Sequence, residues 1–276
     1  MASAIASSGG LESSRRMVSE WSSERAFLGL SALVFAASAV VTIVWCASMS
    51  AMNGMPMPGG WTMSMAWMRM PGQTWVGAAA SFIAMWAVMM VAMMLPSLVP
   101  TLRRYREAVS KTGETPLGWL SAVVGAGYFS VWTAFGAVVF PLGVALAAVE
   151  MQLPVLAQAV PIAAGVIVLM AGALQFSAWK AGHLACCREA PGPGALRADA
   201  RAAWRYGLRI GLHCCYCCAG LTAALLVIGV MDLRAMAVIA TAITVERIAG
   251  ERGAHATGVD FVGAGLVLIA RAVGLG

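Results

Sequence analysis

Residues 74–98 read TWVGAAASFIAMWAVMMVAMMLPSL, a stretch without a charged side chain. About 20 apolar residues in a helix cross the ~30 Å hydrocarbon core of a bilayer, and a helix satisfies its own backbone hydrogen bonds there. Similar apolar runs recur along the chain, without the alternation of an outer-membrane β-strand. The sequence therefore predicts an all-α, polytopic membrane helix bundle.

The composition agrees with this prediction, because 61% of the residues are hydrophobic and only 11% are charged. Soluble domains carry about 25% charged residues. Residues 1–25 are expected to be a polar, disordered tail, and residues 26–275 a single transmembrane domain. Spans are predicted over residues 26–47, 74–98, 117–148, 155–177, 207–230, 234–249 and 257–275. The sixth is the weakest because its apolar stretch is short, so we expect six to seven transmembrane helices.

The basic residues predict the orientation. With the amino terminus inside, the inner segments hold all but three of the 18 Lys and Arg residues, the exceptions being Arg69, Arg234 and Arg271. Short inner loops of membrane proteins carry this excess of positive charge. The net charge of +6 is therefore a topology signal and not the basic face of a nucleic-acid-binding protein. We expect a bacterial inner-membrane protein, surrounded by the lipid bilayer, with its amino terminus inside.

Methionine is concentrated in one part of the chain, since 13 of the 19 methionines lie between Met49 and Met94. Thioethers are soft ligands that suit Cu(I), and they stay usable outside the cell, where thiols oxidise. The candidate ligands in the predicted outer loop are Met52, Met55, Met57, Met63, Met65, Met68 and Met70. The alternative is that these flexible side chains only fill gaps between packed elements.

The second predicted helix carries a methionine stripe. Met85, Met89 and Met93 are spaced four apart, and Met90 and Met94 repeat that spacing one position later. Side chains four apart share a helix face, so this helix could present a ladder of sulfurs. Pro96 is expected to kink or end the helix. Ordinary apolar packing is again the alternative.

Cysteine and histidine form two clusters, WKAGHLACC at the inner end of the fourth predicted helix and GLHCCYCCAG at the start of the fifth. Their candidate metal ligands are His183, Cys186, Cys187, His213, Cys214, Cys215, Cys217 and Cys218. Together they predict a soft-metal site for Cu(I), with zinc possible. The alternatives are small buried thiols that only pack, and redox chemistry through a disulfide between the two clusters. Glu246 and Arg247 are expected to mark a helix end at the membrane interface.

Four stretches resemble a bacterial family of unknown function labelled predicted metal-binding integral membrane proteins. They are MPGGWTMSMAWMRMPGQTW, MWAVMMVAMMLPSLVP, LQFSAWKAGHLACC and GLHCCYCCAGLTAALLVIGVMDLRAMA. The resemblance covers about residues 26–275 and implies metal binding. Eukaryotic high-affinity copper transporters also have methionines on the outer side and Cys/His ligands on the inner side. No stretch of this chain aligns with them.

The working hypothesis is Cu(I) handling, by uptake, transfer or retention, with weak thioethers outside and stronger thiolates inside. A partner membrane or periplasmic protein could exchange the metal. The chain lacks an ATP-binding signature, which argues against active pumping by this chain alone. One alternative is a membrane thiol-disulfide oxidoreductase, although an enzyme is the less favoured interpretation. Another is a non-catalytic metal-binding subunit of a larger membrane complex.

Overall fold

A computed structural model describes residues 2–52, 54–110, 117–188 and 199–274, with side chains from residue 21 onward. Eight α-helices occur in these ranges, which confirms the all-α fold class. They are α1 (Ala2–Ser50), α2 (Trp75–Ser110), α3 (Leu117–Gln152), α4 (Pro154–Leu174), α5 (Ala178–Arg188), α6 (Ala200–Ile228), α7 (Leu233–Ala249) and α8 (Glu251–Ala272). Between α1 and α2 lie strands β1 (Met55–Met57) and β2 (Trp61–Met63) and a 3-10 turn at Met65–Trp67.

Six of the described helices are long and apolar enough to cross a membrane: α1 from Trp21 onward, α2, α3, α4, α6 and α8. The predicted tail, residues 1–25, is helical from Ala2 and continuous with the first span. Extending an existing helix costs less free energy than starting a new one, which explains the continuation. Helix α2 likewise runs through Pro96 and Pro100 to Ser110, so Pro96 does not end it.

The bundle has two distinguishable ends. The loop end carries the β1–β2 hairpin, in which Met55 pairs with Met63. At the arginine end, Arg104 donates a hydrogen bond to the carbonyl of Arg188, and Arg188 donates one to the carbonyl of Ile248. Lys111 and Arg197, two of the charges that predict the orientation, lie outside the described residues.

Helix α7 runs between these two ends although it is short. It has 17 residues, which is about 25 Å at 1.5 Å per residue. Before it begins, Met231 touches Cys46 near the loop end of α1, and at its other end Ile248 meets Arg188. The sixth predicted span is thus a helix that passes through the bundle, in line with the prediction of six to seven.

The fourth predicted span, residues 155–177, corresponds to α4 and is followed after a short break by a separate helix. Helix α4 ends at Leu174, and α5 begins at Ala178. Ser177 stabilises both ends of the break, because its hydroxyl donates to the carbonyl of Leu174 and accepts from the amide of Lys180. A break inside a bundle is tolerated where the freed backbone groups find such partners.

Glycines set the contact between α4 and α8. A Cβ on Gly265 would lie 2.5 Å from the backbone nitrogen of Leu169, and one on Gly172 would lie 2.6 Å from that of Val262. Small residues of this kind let membrane helices approach closely. Along α8, Gly263 has open space around it and serves as an internal comparison.

We expect Gly265→Ala to destabilise the folded chain by about 1–3 kcal/mol, because the added methyl overpacks a backbone contact. Gly263→Ala should be neutral or slightly stabilising, since alanine is the better helix former. Denaturant or thermal unfolding in detergent measures both. Equal stability of the two variants would contradict the assigned α4–α8 packing.

Candidate metal centre

The cysteines of the second cluster lie in the middle of α6 and not at the start of a helix. Helix α6 begins after Asp199, whose carboxylate caps it by accepting from the amide of Ala202. Cys214 therefore follows almost four helical turns of residues. The predicted position at the helix start was wrong, because the arginine-bearing segment before residue 207 is helical and continuous with the span.

Four cysteine side chains from two helices meet inside the bundle, and we call this group the thiol cluster: Cys187 of α5 with Cys214, Cys217 and Cys218 of α6. All four are buried and free of disulfides. The Sγ atoms of Cys214 and Cys218 are 3.8 Å apart, and the thiol of Cys187 lies beside that of Cys217. The neighbouring Cys217 and burial raise the pKa of the Cys187 thiol. The structure thus joins the two sequence clusters through sulfur.

Tyr128 of α3 completes one wall of the thiol cluster. Its hydroxyl donates a hydrogen bond of 2.9 Å to Cys214 Sγ. The helix registry allows this approach because α3 and α6 pack closely, with Gly211 against the carbonyl of Tyr128. Nothing in the local sequence marks Tyr128 as a functional residue, so sequence reasoning missed it.

The remaining candidate ligands of the two clusters lie aside from this sulfur group. Cys186 and Cys215 are half-buried, and each is turned about 100° along its helix from the buried neighbour. The rings of His183 and His213 lie beside each other, with centroids 6.0 Å apart. His183 Nδ1 is 2.8 Å from the carbonyl oxygen of Trp179. The histidines therefore form a pair between α5 and α6.

A buried ion pair lies next to the thiol cluster. Lys180 Nζ donates to Glu246 Oε2 at 2.6 Å and to the backbone carbonyl of Cys217 at 2.7 Å. Both side chains are almost fully buried, with 3% and 1% exposed. Burial opposes the charged amine, and the carboxylate of Glu246 stabilises it.

Arg247 brings a second positive charge to the same place. Its side chain is buried, and its Nε and Nη2 atoms have no hydrogen-bond partner within the described chain. Its electrostatic neighbours are Cys214, Tyr128, Cys187 and Cys218. Glu246 and Arg247 stand in the last turn of α7, as expected for a helix end, and that turn packs inside the protein against α5 and α6. Their position at the membrane interface stays a prediction.

The charges around the thiol cluster do not balance while its thiols are neutral. Lys180 and Glu246 cancel each other, which leaves the guanidinium of Arg247 as one uncompensated positive charge among these groups. A buried, unpaired charge is strongly unfavourable. The place is therefore suited to a group that carries one negative charge.

Within the described ranges, no three or more His, Cys, Asp or Glu side chains are arranged as a site that could hold a metal ion. Zinc almost always takes three or four protein ligands in a defined geometry. The closest sulfur contacts here are pairwise, Cys214 with Cys218 and Cys187 with Cys217. Such soft sulfur pairs suit Cu(I) better than zinc.

The methionines of the loop divide into two groups. In the hairpin, Met57 and Met63 are buried against Ala147 and Ala157, with Met55 packed alongside. Met52 is 44% exposed. For the hairpin methionines, the packing interpretation describes what the structure shows.

The other loop methionines line a cavity of about 110 Å³ at the loop end of the bundle. We call it the methionine cavity. Its methionines are Met49, Met65, Met68, Met70, Met85 and Met231. Sequence reasoning missed Met231, because it stands between α6 and α7, far along the chain from the methionines of the loop.

The methionine stripe of α2 is buried throughout, with exposed fractions between 1% and 4%. Its residues are Met85, Met89, Met90, Met93 and Met94. Two hydrogen bonds show at what depth of the bundle these methionines lie. Trp86 Nε1 donates to the carbonyl of Trp132 in α3, and Tyr128, one turn away, touches Cys214. Helices α2 and α3 are antiparallel, so Met90 lies at about the depth of Tyr128. The stripe thus spans the depth from the methionine cavity to the thiol cluster.

We expect Lys180→Met to destabilise the protein by about 3–5 kcal/mol, because it leaves Glu246 buried without its partner. The double variant Lys180→Met/Glu246→Gln should recover most of this loss. The matched control is the half-exposed pair of Arg103 and Glu24, where Arg103→Ala should cost at most about 1 kcal/mol. Thermal unfolding of the four proteins measures these differences, and no recovery in the double variant would contradict the assigned ion pair.

Comparison with known proteins adds one finding. A family model described as PpoB2, copper chaperone, matches residues 83–270, which is more than half of the chain. The match includes the whole methionine stripe and the whole thiol cluster. No curated protein and no solved structure matches the chain. The chain belongs to the PpoB2 copper chaperone family.

Proposed function

We propose that the chain is a membrane copper chaperone that holds Cu(I) in the thiol cluster and passes it to a partner protein. The observation that carries this proposal is the burial of Arg247 beside four free cysteines. Its Nε and Nη2 atoms have no hydrogen-bond partner among the described residues, and the thiols beside it can supply negative charge. Soft thiolates select Cu(I) among the metals of the cell, and the family match to copper chaperones is in agreement.

Charge explains why Cu(I) fits this place. Two thiolates carry two negative charges, and Cu(I) carries one positive charge, so a bis-thiolate Cu(I) unit has a net charge of −1. That charge cancels the guanidinium of Arg247, while Lys180 and Glu246 continue to cancel each other. Two protons leave the thiols when the ion binds. The apo centre is thus charged and the loaded centre is neutral, which favours loading in an environment of low dielectric constant.

The methionine stripe offers a route for the ion between the loop end and the thiol cluster. Thioethers bind Cu(I) without a charge, and Met85, Met89 and Met93 follow each other on one face at four-residue spacing. A vertical step of about 6 Å separates successive members. Ligand strength increases along this route from thioether to thiolate, so the ion moves towards the thiol cluster without an energy source.

The orientation of this route follows from the charge distribution. The positive-inside rule places the arginine end at the cytoplasm and the loop end outside, in the inner membrane of a bacterium. Copper then enters from the outer side, and the thiol cluster stores it before transfer. A membrane or periplasmic protein that supplies or receives the metal is the partner of this proposal.

We expect the protein, purified anaerobically from copper-fed cells, to contain roughly one tightly held copper ion per chain in the thiol cluster. The Cys214/Cys217/Cys218→Ser variant should lose at least ten times more copper than the Cys215→Ser control. Cys215 is the matched control because it is on the same helix but only half-buried. Elemental analysis with protein quantification measures both. Equal copper in the two variants would contradict the assigned site.

We expect Arg247→Gln to weaken Cu(I) affinity roughly 10–100-fold, the usual effect of losing a group that supports a metal site from outside its ligands. Arg247→Lys should retain most of the affinity because it keeps the charge. Arg209→Gln, on an exposed position of α6, is the control and should bind like the wild type. Anaerobic competition against a Cu(I) chelator gives the affinities. Unchanged affinity in Arg247→Gln would refute the charge argument.

The proximity of the Cys187 and Cys217 thiols, which come from different helices, also favours a second candidate, a membrane thiol-disulfide oxidoreductase. In that function the two thiols form a disulfide and pass two electrons and two protons to a quinone. Thiol titration after incubation with a quinone distinguishes the candidates. Rapid loss of two thiols, reversed by a dithiol, supports the enzyme, whereas stable thiols with bound copper support the chaperone.

A further inference from the structure

The methionine cavity is built from elements that are far apart in sequence. Met49 comes from the end of α1, Met85 from α2, and Met231 from the turn before α7. Met65, Met68 and Met70 come from the 3-10 turn and the loop that follows it. Six methionines from four parts of the chain therefore line one cavity, and one of them, Met231, lies far outside the methionine-rich part of the sequence.

The burial of these side chains is graded. Met65, Met68, Met70 and Met231 are half-buried, so their sulfurs can be reached from the loop end. Met85 is buried, with 4% exposed, and forms the inner wall of the cavity. It is also the first member of the stripe that continues through Met89. The cavity is open at one side and is continuous with the stripe at the other.

The chemistry of the lining selects the ligand. The cavity residues that are not methionine are mainly apolar or aromatic, together with Gln73 and Ser81. No carboxylate, imidazole or thiol lines the cavity among the described residues, so hard cations and zinc find no suitable ligands there. Neutral thioethers bind a soft monovalent ion such as Cu(I). Cys46 lies just behind, with its Sγ 3.9 Å from the sulfur of Met231.

The hairpin methionines do not share this arrangement. Met57 and Met63 pack with Ala147 and Ala157 in a separate apolar cluster, and Trp61 fixes the hairpin by donating to the carbonyl of Ala157. Their burial serves packing, since their neighbours are alanines and an indole. They are therefore a control within the same loop, with the same side-chain chemistry but another environment.

We propose that the methionine cavity is a Cu(I) loading site, in which Met65, Met68, Met70 and Met231 bind the incoming ion and Met85 passes it to the stripe of α2. The destination of the ion rests on the proposed function, but binding in the cavity does not. The site is selective for soft monovalent cations, so Ag(I) is a suitable stable probe. Met55, Met57 and Met63 take no part.

The test uses full-length protein with 13C-labelled methionine methyl groups, in detergent, and Ag(I) as the probe. A variant with Cys187, Cys214, Cys217 and Cys218 replaced by Ser removes the thiol cluster, so that the cavity is observed alone. Single Met→Leu variants assign the methyl signals. We expect one equivalent of Ag(I) to shift the signals of Met65, Met68, Met70 and Met231 and to leave those of Met57 and Met63 unchanged.

Two double variants distinguish binding in the cavity from binding at the hairpin. Met68→Leu/Met231→Leu should weaken Ag(I) binding at least tenfold, whereas Met57→Leu/Met63→Leu should not change it. Shifts at the hairpin methionines, or no shift at any cavity methionine, would overturn the proposal. If the four-Ser variant does not fold, the second equivalent of Ag(I) added to wild-type protein gives the same readout. Failure of the thiol cluster to bind metal would appear separately, because the first equivalent of Ag(I) added to the wild type would then already shift the signals of the cavity methionines.

Discussion

The buried guanidinium of Arg247 limits which groups can surround it at the thiol cluster. A guanidinium buried among thiols is tolerated only if the surroundings supply negative charge or strong hydrogen bonds. The nearby ion pair of Lys180 and Glu246 cannot do so, because its two charges cancel at a distance of 2.6 Å. The electrostatic neighbours of Arg247 that can become negative are the thiols of the cluster and the hydroxyl of Tyr128. This makes the stability of the centre dependent on its occupancy, a property that suits a protein that accepts and releases one cation.

The broken helix α4–α5 makes this centre possible. If α4 continued without a break, the side chains after Leu174 would follow its axis. The restart at Ala178, capped by Ser177, turns Lys180 towards Glu246 and the carbonyl of Cys217, and Cys187 towards the thiol of Cys217. Discontinuous helices in membrane proteins occur where irregular backbone is enclosed by protein, and here the break brings one thiol and one amine to the centre of the bundle.

Much of the fold could be predicted from the sequence, because lipid imposes a length and an apolar composition on each span. The short helix α7 was harder, since its apolar stretch ends early at Glu246, and its passage through the bundle depends on tertiary contacts. The end of the fourth span was predicted within three residues, but helix α5 after it was not predicted, because its 11 residues are too few to form a span. The 3-residue strands of the hairpin carry too few positions to show a period.

The candidate ligands of the site could be predicted from the sequence, but the residues that surround them could not. Clustered cysteines and spaced methionines are visible in the sequence, and they indicate soft-metal chemistry by residue type alone. Their partners come from distant positions. Lys180 and Glu246 are 66 residues apart, and Met231 lies far along the chain from the methionines of the loop. Charges such as Glu246 and Arg247 near the end of an apolar segment are compatible with an interface or with the interior. Only the packing of α7 against α5 and α6 decides between the two.

The central claim is that Cu(I) lies between thiolates of the buried cluster with a compensating charge from Arg247. X-ray absorption spectroscopy of anaerobic protein loaded with one equivalent of copper tests it most directly. We expect a Cu(I) edge and a first shell of two sulfur atoms with thiolate character. This sulfur shell should be absent in the Cys214/Cys217→Ser variant. A first shell of nitrogen or oxygen, or a sulfur shell that persists in that variant, would contradict it.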